Sequence, residues 1–160
     1  MRGGALPAAL IFAALGFALS FAPRRIRAPA LLVAAIAAIA MLQVPIGPTH
    51  AELVYFACWA CVIGAAGSVH LPGGVPGRVA LPLALVCGAG AGAVVTQAGG
   101  LRDLAAALPA AVVIVPASWL VSTDRGIAVK VVSSWLIAIA MLAAALPLTP
   151  TPGYAPDHME

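Results

Sequence analysis

Long apolar runs, interrupted at short intervals by Gly, Pro and charged residues, constrain this chain more than any other feature of its sequence. Six runs approach the roughly 20 apolar residues that a membrane-spanning helix needs. They cover residues 5–22, 28–46, 52–69, 79–98, 104–121 and 127–147. The breaks between them are short and rich in turn-forming residues. The sequence therefore predicts an all-α integral membrane protein, in which residues 1–147 form one compact bundle of about six transmembrane helices.

The composition excludes a water-soluble domain. The chain is 63% hydrophobic and 8% charged, whereas about a quarter of the residues in soluble domains are charged. A transmembrane β-barrel is also excluded, because barrel strands alternate apolar and polar residues, and residues 28–42 are apolar on every face. The solvent of this chain is predicted to be the lipid bilayer.

The basic residues predict an orientation. The breaks after the first, third and fifth runs, together with Lys130 near the start of the sixth run, hold six of the eight Lys and Arg residues. Since short basic loops stay in the cytoplasm, both termini are expected on the outer, periplasmic side. The basic residues are scattered between apolar runs, which argues against a nucleic-acid-binding face.

Two further expectations concern the ends of the chain and its location. Residues 148–160 are proline-rich and acidic, and this pattern predicts a disordered tail. The abundance of Ala, and of Arg over Lys, indicates a GC-rich bacterial genome, so a multi-pass protein of the bacterial inner membrane is expected. The first run could alternatively be a signal peptide that is cleaved after Ser20-Phe21-Ala22. This is the less favoured hypothesis, because Pro23 would obstruct cleavage and a basic cluster follows.

Small residues recur every four positions in the third and fourth runs. Such a pattern makes a flat helix face that allows two backbones to approach closely. It predicts tight packing of the third helix against the fourth. The residues of the two faces are Ala60, Gly64, Ser68, Ala84, Gly88 and Gly92.

Three cysteines lie inside apolar runs. Cys58 and Cys61 are three residues apart on one helix, and Cys87 is predicted at the depth of Cys61. The favoured interpretation is that these thiols are small apolar fillers. The minority hypothesis is a thiol cluster that binds a soft metal ion or takes part in redox exchange. No cofactor is predicted.

Polar side chains gather near the two predicted membrane surfaces. Gln43, Glu52 and Gln97 are expected near the outer surface, and Ser133 and Ser134 near the inner surface. They could border a solute path, or they could be ordinary interfacial residues. No ionisable residue falls in the middle third of a predicted span, which disfavours proton coupling. No hydrolase or protease motif is present, so the chain is not predicted to be an enzyme.

The functional prediction is a small permease or channel-like module for a small uncharged or organic-acid solute, acting without proton coupling. The alternative is a non-catalytic membrane subunit or assembly factor of a larger complex. The expected partners are the lipid bilayer and either further copies of this chain or a larger membrane protein.

Overall fold

The computed structural model describes residues 5–148, and all regular structure within that range is helical. The α-helices are α1 (Ala5–Ser20), α2 (Arg24–Met41), α3 (Ala51–Ser68), α4 (Gly77–Ala98), α5 (Leu101–Ala107), α6 (Ile114–Ser122) and α7 (Gly126–Ala145). A 3₁₀ turn, Leu108–Val113, joins α5 to α6, and the two helices with this turn form one segment. The seven helices therefore make six segments. The predicted all-helical architecture with six segments is confirmed. Apart from Leu148, the predicted disordered tail lies outside the described residues.

Four segments are long and apolar enough to cross a membrane by themselves, which supports a multi-pass membrane protein. They are Pro48–Ser68, Gly77–Ala98, Leu101–Ser122 and Gly126–Leu148. At 16 residues, α1 is about 24 Å long, slightly less than the hydrocarbon core of a bilayer. The helix α2 carries three arginines in its first turn, which lower its mean hydropathy, and it is not among these four segments.

The predicted bounds of the second segment, 28–46, are shifted in the structure. The helix starts at Arg24, directly after Pro23, so the arginines are part of its first turn rather than of the connection. It ends at Met41, before Pro45 and Pro48. A residue that precedes proline is disfavoured in the α conformation, which explains the early end.

The helix α1 forms the centre of the bundle. It packs against α3, α4, α5, α6 and the 3₁₀ turn, and its large side chains Ile11, Phe12, Leu15 and Leu19 are at most 1% exposed. A helix that is apolar all around is expected in such a largely enclosed position. Cleavage of a signal peptide here would remove the helix around which the others pack.

The closest helix pair is α2 with α4. A β carbon added to Gly88 would collide with the Ala34 carbonyl, and one added to Gly92 would collide with that of Ala38. Both contacts advance by four residues in the same direction, so the two helices run parallel. The side chain of Thr96 in α4 adds a hydrogen bond of 3.2 Å to the Met41 carbonyl in α2.

The small face of α4 was expected to meet α3, and the structure directs its glycines to α2 instead. Gly64 of α3 has open space beside it, and Ala60 is exposed. Ser68 donates a hydrogen bond to the Ala65 carbonyl within its own helix. The helices α3 and α4 are in contact, but the glycines of α4 lie closest to the backbone of α2. This is possible because α2 also has alanines at four-residue spacing, which make a flat face.

The helix α3 pairs in antiparallel fashion with α7. The Tyr55 hydroxyl near the start of α3 donates to the Ala143 carbonyl near the end of α7. Just beyond the other end of α3, the His70 Nε2 lies 3.4 Å from the Ser134 hydroxyl of α7. These two contacts fix the relative position of the helices along their length.

Candidate functional site

Charged side chains divide unequally between the two ends of the bundle. Contacts of Phe21 with Gly74 and Gly126, and of Ile26 with Gly77, bring the first, third and fifth connections together. The basic residues at this end, here called the cationic end, are Arg24, Arg25, Arg27, Arg78, Arg125 and Lys130, beside one acidic residue, Asp124. The opposite end carries Arg102, Glu52 and Asp103 among the described residues.

Arg27 ties the corner between α1 and α2 to α6. Its Nε donates to the Ala22 carbonyl (2.9 Å) and its Nη2 to the Ser20 carbonyl (2.8 Å). Its Nη1 donates to the Ser118 hydroxyl of α6 (2.8 Å). The guanidinium charge is therefore met by neutral oxygens, and no carboxylate pairs with it within residues 5–148.

A groove of about 490 Å³ lies between α2 and α6 at this end. Its size falls within the range of ligand pockets in proteins. One end of the groove is polar and the other is apolar, as the positions of the lining residues along both helices show. The lining consists of Arg24, Arg27, Ala28, Leu31, Ile114, Val115, Ser118, Trp119 and Ser122.

The residues predicted to border a solute path lie at both ends of the bundle. At the end opposite the cationic end, Gln43 and Glu52 are exposed. Gln97 donates to the carbonyls of Ile46 (3.2 Å) and Gly47 (3.1 Å), and so fastens α4 to the connection that follows α2.

The two predicted serines lie on α7 towards the cationic end. The Ser134 hydroxyl donates to the Lys130 carbonyl (3.0 Å) and faces His70. Ser133 is fully buried, and its hydroxyl has no hydrogen-bond partner among the described residues. The apolar helix α1 fills the centre of the bundle, between these serines and the polar residues at the opposite end.

Cys61 of α3 and Cys87 of α4 lie where these helices meet, and Cys58 is buried on α3. The Cys61 thiol approaches the Val86 carbonyl (3.8 Å), and the Cys87 thiol approaches the Cys61 carbonyl (4.0 Å). Cys61 and Cys87 are therefore neighbours across the contact between the two helices. The part of the chain that the structure describes holds no group of three Cys, His, Asp or Glu side chains able to bind a metal ion.

The fifth span is interrupted in its middle. Pro109 lacks a backbone N–H and would clash with a preceding carbonyl in a regular helix, and the chain forms the 3₁₀ turn there. This turn packs on Gly16 of α1, whose added β carbon would lie 2.8 Å from Val113 Cγ1 and 3.1 Å from the Ala111 carbonyl oxygen. Glycine at position 16 thus makes room for the interruption.

The contact between Arg27 and Ser118 was not predicted, because a basic cluster beside an apolar run indicates membrane topology first. A usable signal was present, since Arg24 and Arg27 are three residues apart and share one face of any helix that begins at Arg24. Ser118, 91 positions further along the chain, gives no comparable signal. Comparison of the chain with protein-family models, with characterised proteins and with solved structures finds no match.

Proposed function

We propose that this protein is a permease module of the bacterial inner membrane that passes a small solute without proton coupling. The observation that carries the proposal is the interrupted span Leu101–Ser122. Interrupted helices line substrate sites in many transporters, where one bundle of helices rocks or gates against another around the site. A 3₁₀ stretch within an α-helix is also a frequent position for a hinge.

The packing of this span suits a moving element. The buried side chains of α5 and α6 are Leu104, Ala107, Ile114 and Ala117, so the span rests on the bundle along one narrow edge. In contrast, α2 and α4 are joined by backbone contacts at Gly88 and Gly92. The helices α1, α2 and α4 would therefore form the scaffold, and α5 and α6 would move against α1.

The polar groups at the two ends are the proposed entrances of the path. Gln43, Glu52 and Gln97 would meet the solute at one end and Ser134 at the other, and the buried Ser133 would meet it deeper in the path. The surplus of positive charge at the cationic end favours an organic acid over a cation as the solute. By the positive-inside rule, the cationic end faces the cytoplasm.

Solute flux into proteoliposomes tests this function. The purified protein is reconstituted, and the uptake of small monocarboxylates and of glycerol is measured against empty liposomes. Pro109→Ala should restore a continuous helix and lower the flux by about tenfold or more, because the proposed hinge is lost. The matched control is Pro82→Ala, since Pro82 lies exposed inside α4, which remains helical despite it.

Two results would overturn the permease proposal. One is uptake that equals the leak of empty liposomes for every solute. The other is equal flux in Pro109→Ala and the unmodified protein while both have the same melting temperature.

A second candidate function, a non-catalytic subunit of a larger membrane complex, is favoured by the outer face of α7. Trp135 and Leu142 are 67% and 68% exposed there, and large apolar faces can dock a second membrane protein or another copy of this chain. Purification from native membranes in mild detergent distinguishes the two functions. A stoichiometric larger partner supports the subunit, and a homo-oligomer or a lone chain supports the permease.

A further inference from the structure

The groove between α2 and α6 holds positive charge without a compensating anion. The Arg24 side chain has no hydrogen-bond or ion-pair partner among residues 5–148, and Arg27 contacts neutral oxygens only. Arg24 and Arg27 are three residues apart on α2, so two like charges lie close together on one face of the helix. Both guanidinium groups are protonated at neutral pH. An anion placed at this end of the groove would offset their mutual repulsion.

The hydrogen-bonding capacity of the arginines is not exhausted. A guanidinium has five N–H donors, and the three bonds of Arg27 leave two of them for a ligand. All the donors of Arg24 are available, and its side chain lines the groove. Guanidinium groups of this kind match the oxygens of a phosphate particularly well.

The other end of the groove is apolar. Leu31 follows Arg24 by seven residues on α2, which places it about 10 Å deeper along the helix. On α6, Ile114 and Val115 lie a similar distance from Ser122, and all of these residues line the same groove. Trp119 lies near the polar end and is 57% exposed, as is common for Trp at the level of lipid headgroups.

We propose that this groove binds an anionic phospholipid from the leaflet at the cationic end. The phosphate contacts Arg24 and Arg27, and one acyl chain lies over Leu31, Ile114 and Val115. Charge complementarity selects the headgroup, and the apolar half selects a lipid over a water-soluble phosphate, which would leave that half uncovered. None of the side chains proposed for the solute path lines this groove.

Native mass spectrometry of the purified full-length protein tests the site. The probes are dioleoyl phosphatidylglycerol and dioleoyl phosphatidylcholine, which share their acyl chains and differ in headgroup charge. We expect the anionic lipid to be retained in a one-to-one complex at least about fivefold better than the zwitterionic lipid. An excess of glycerol phosphate, the soluble headgroup without acyl chains, should not displace it.

Two pairs of variants locate the binding. Arg24→Gln should weaken retention of the anionic lipid by about fivefold, because one cation near a lipid phosphate is lost. Arg25→Gln removes the same charge from the next residue, which is exposed and does not line the groove, and should leave retention unchanged. Val115→Trp should fill the apolar half and reduce retention, while Val112→Trp, at an equally exposed position outside the groove, should not.

The melting temperature of each variant without added lipid controls for misfolding. If Arg24→Gln and Arg25→Gln reduced retention of the anionic lipid equally, only the general surface charge would attract the lipid. Equal retention of both lipids would also overturn the proposal, as would displacement by glycerol phosphate, which would indicate a site for a soluble anion.

Discussion

Gly88 of α4 lies directly against the backbone of Ala34 of α2. A β carbon added to Gly88 would collide with the Ala34 carbonyl oxygen and lie 2.7 Å from the Ala34 Cα. The obstacle is backbone, which cannot rotate away as the end of a side chain can. In a bilayer, where apolar surface gains little from association, such close packing is the main source of helix affinity.

Gly88→Ala should therefore destabilise the protein by about 2 kcal/mol or more, because the added methyl group must separate the two backbones. Thermal unfolding of the purified protein in detergent measures the change. Gly64→Ala is the matched control, since Gly64 has no atom within 4 Å of its added β carbon. The control should be neutral or slightly stabilising, because Ala favours helix over Gly. Equal melting temperatures for the two variants would contradict the α2–α4 contact.

Gly16→Ala should destabilise the bundle by about 1 kcal/mol, which is less than the effect at Gly88. The nearest atom to the added methyl group is Cγ1 of Val113, at 2.8 Å, and a side chain can be shortened. The double variant Gly16→Ala, Val113→Ala should recover part of the loss, and this coupling is measurable as a double-mutant cycle. Strictly additive effects would show that the 3₁₀ turn does not pack on α1 at this position.

Tyr55→Phe should lower stability by about 1 kcal/mol, since it removes the hydrogen bond to Ala143 and keeps the aromatic ring. The ring also packs edge-on against Trp59, with a centroid distance of 6.0 Å, and Phe preserves this contact. Ser68→Ala serves as the control, because Ser68 bonds only within α3 and does not link two helices. If the two variants unfold at the same temperature, the bond between α3 and α7 contributes nothing.

The two ends of the bundle should face opposite sides of the membrane, with the cationic end in the cytoplasm. Single cysteines at Thr123 and Thr49, introduced after Cys58, Cys61 and Cys87 are replaced by Ala, report on the two ends. A membrane-impermeant maleimide applied to spheroplasts should label Thr49→Cys and leave Thr123→Cys unlabelled until the membrane is opened. The reverse pattern would reject the orientation, and labelling of both positions from outside would reject the spanning arrangement.

Much of the fold could be predicted from the sequence, because the length and spacing of apolar runs depend on local composition. The apolar runs predict the six segments. They also predict that Arg24, Arg78 and Arg125 gather at one end, because successive spans alternate in direction. The boundaries were less accurate at Arg24, because an arginine at the start of a helix resembles an arginine in a loop.

The candidate site was predicted less well. The four-residue spacing of Gly88 and Gly92 indicated a close helix contact but not its partner, because Ala34 and Ala38 on α2 and Gly64 on α3 are all small. The groove could not be predicted, since Arg27 and Ser118 are 91 positions apart and meet only after folding.

The sequence by itself determined that the chain is helical, apolar and charged mainly at the ends of its segments, because hydropathy decides which residues leave water. Only the tertiary structure decided that α1 is the enclosed helix, that α2 covers α4, and that Arg27 reaches Ser118. Which helices pack together depends on their shape, because an apolar solvent solvates every apolar face equally well. Only close approach of the backbones and hydrogen bonds between helices distinguish one neighbour from another.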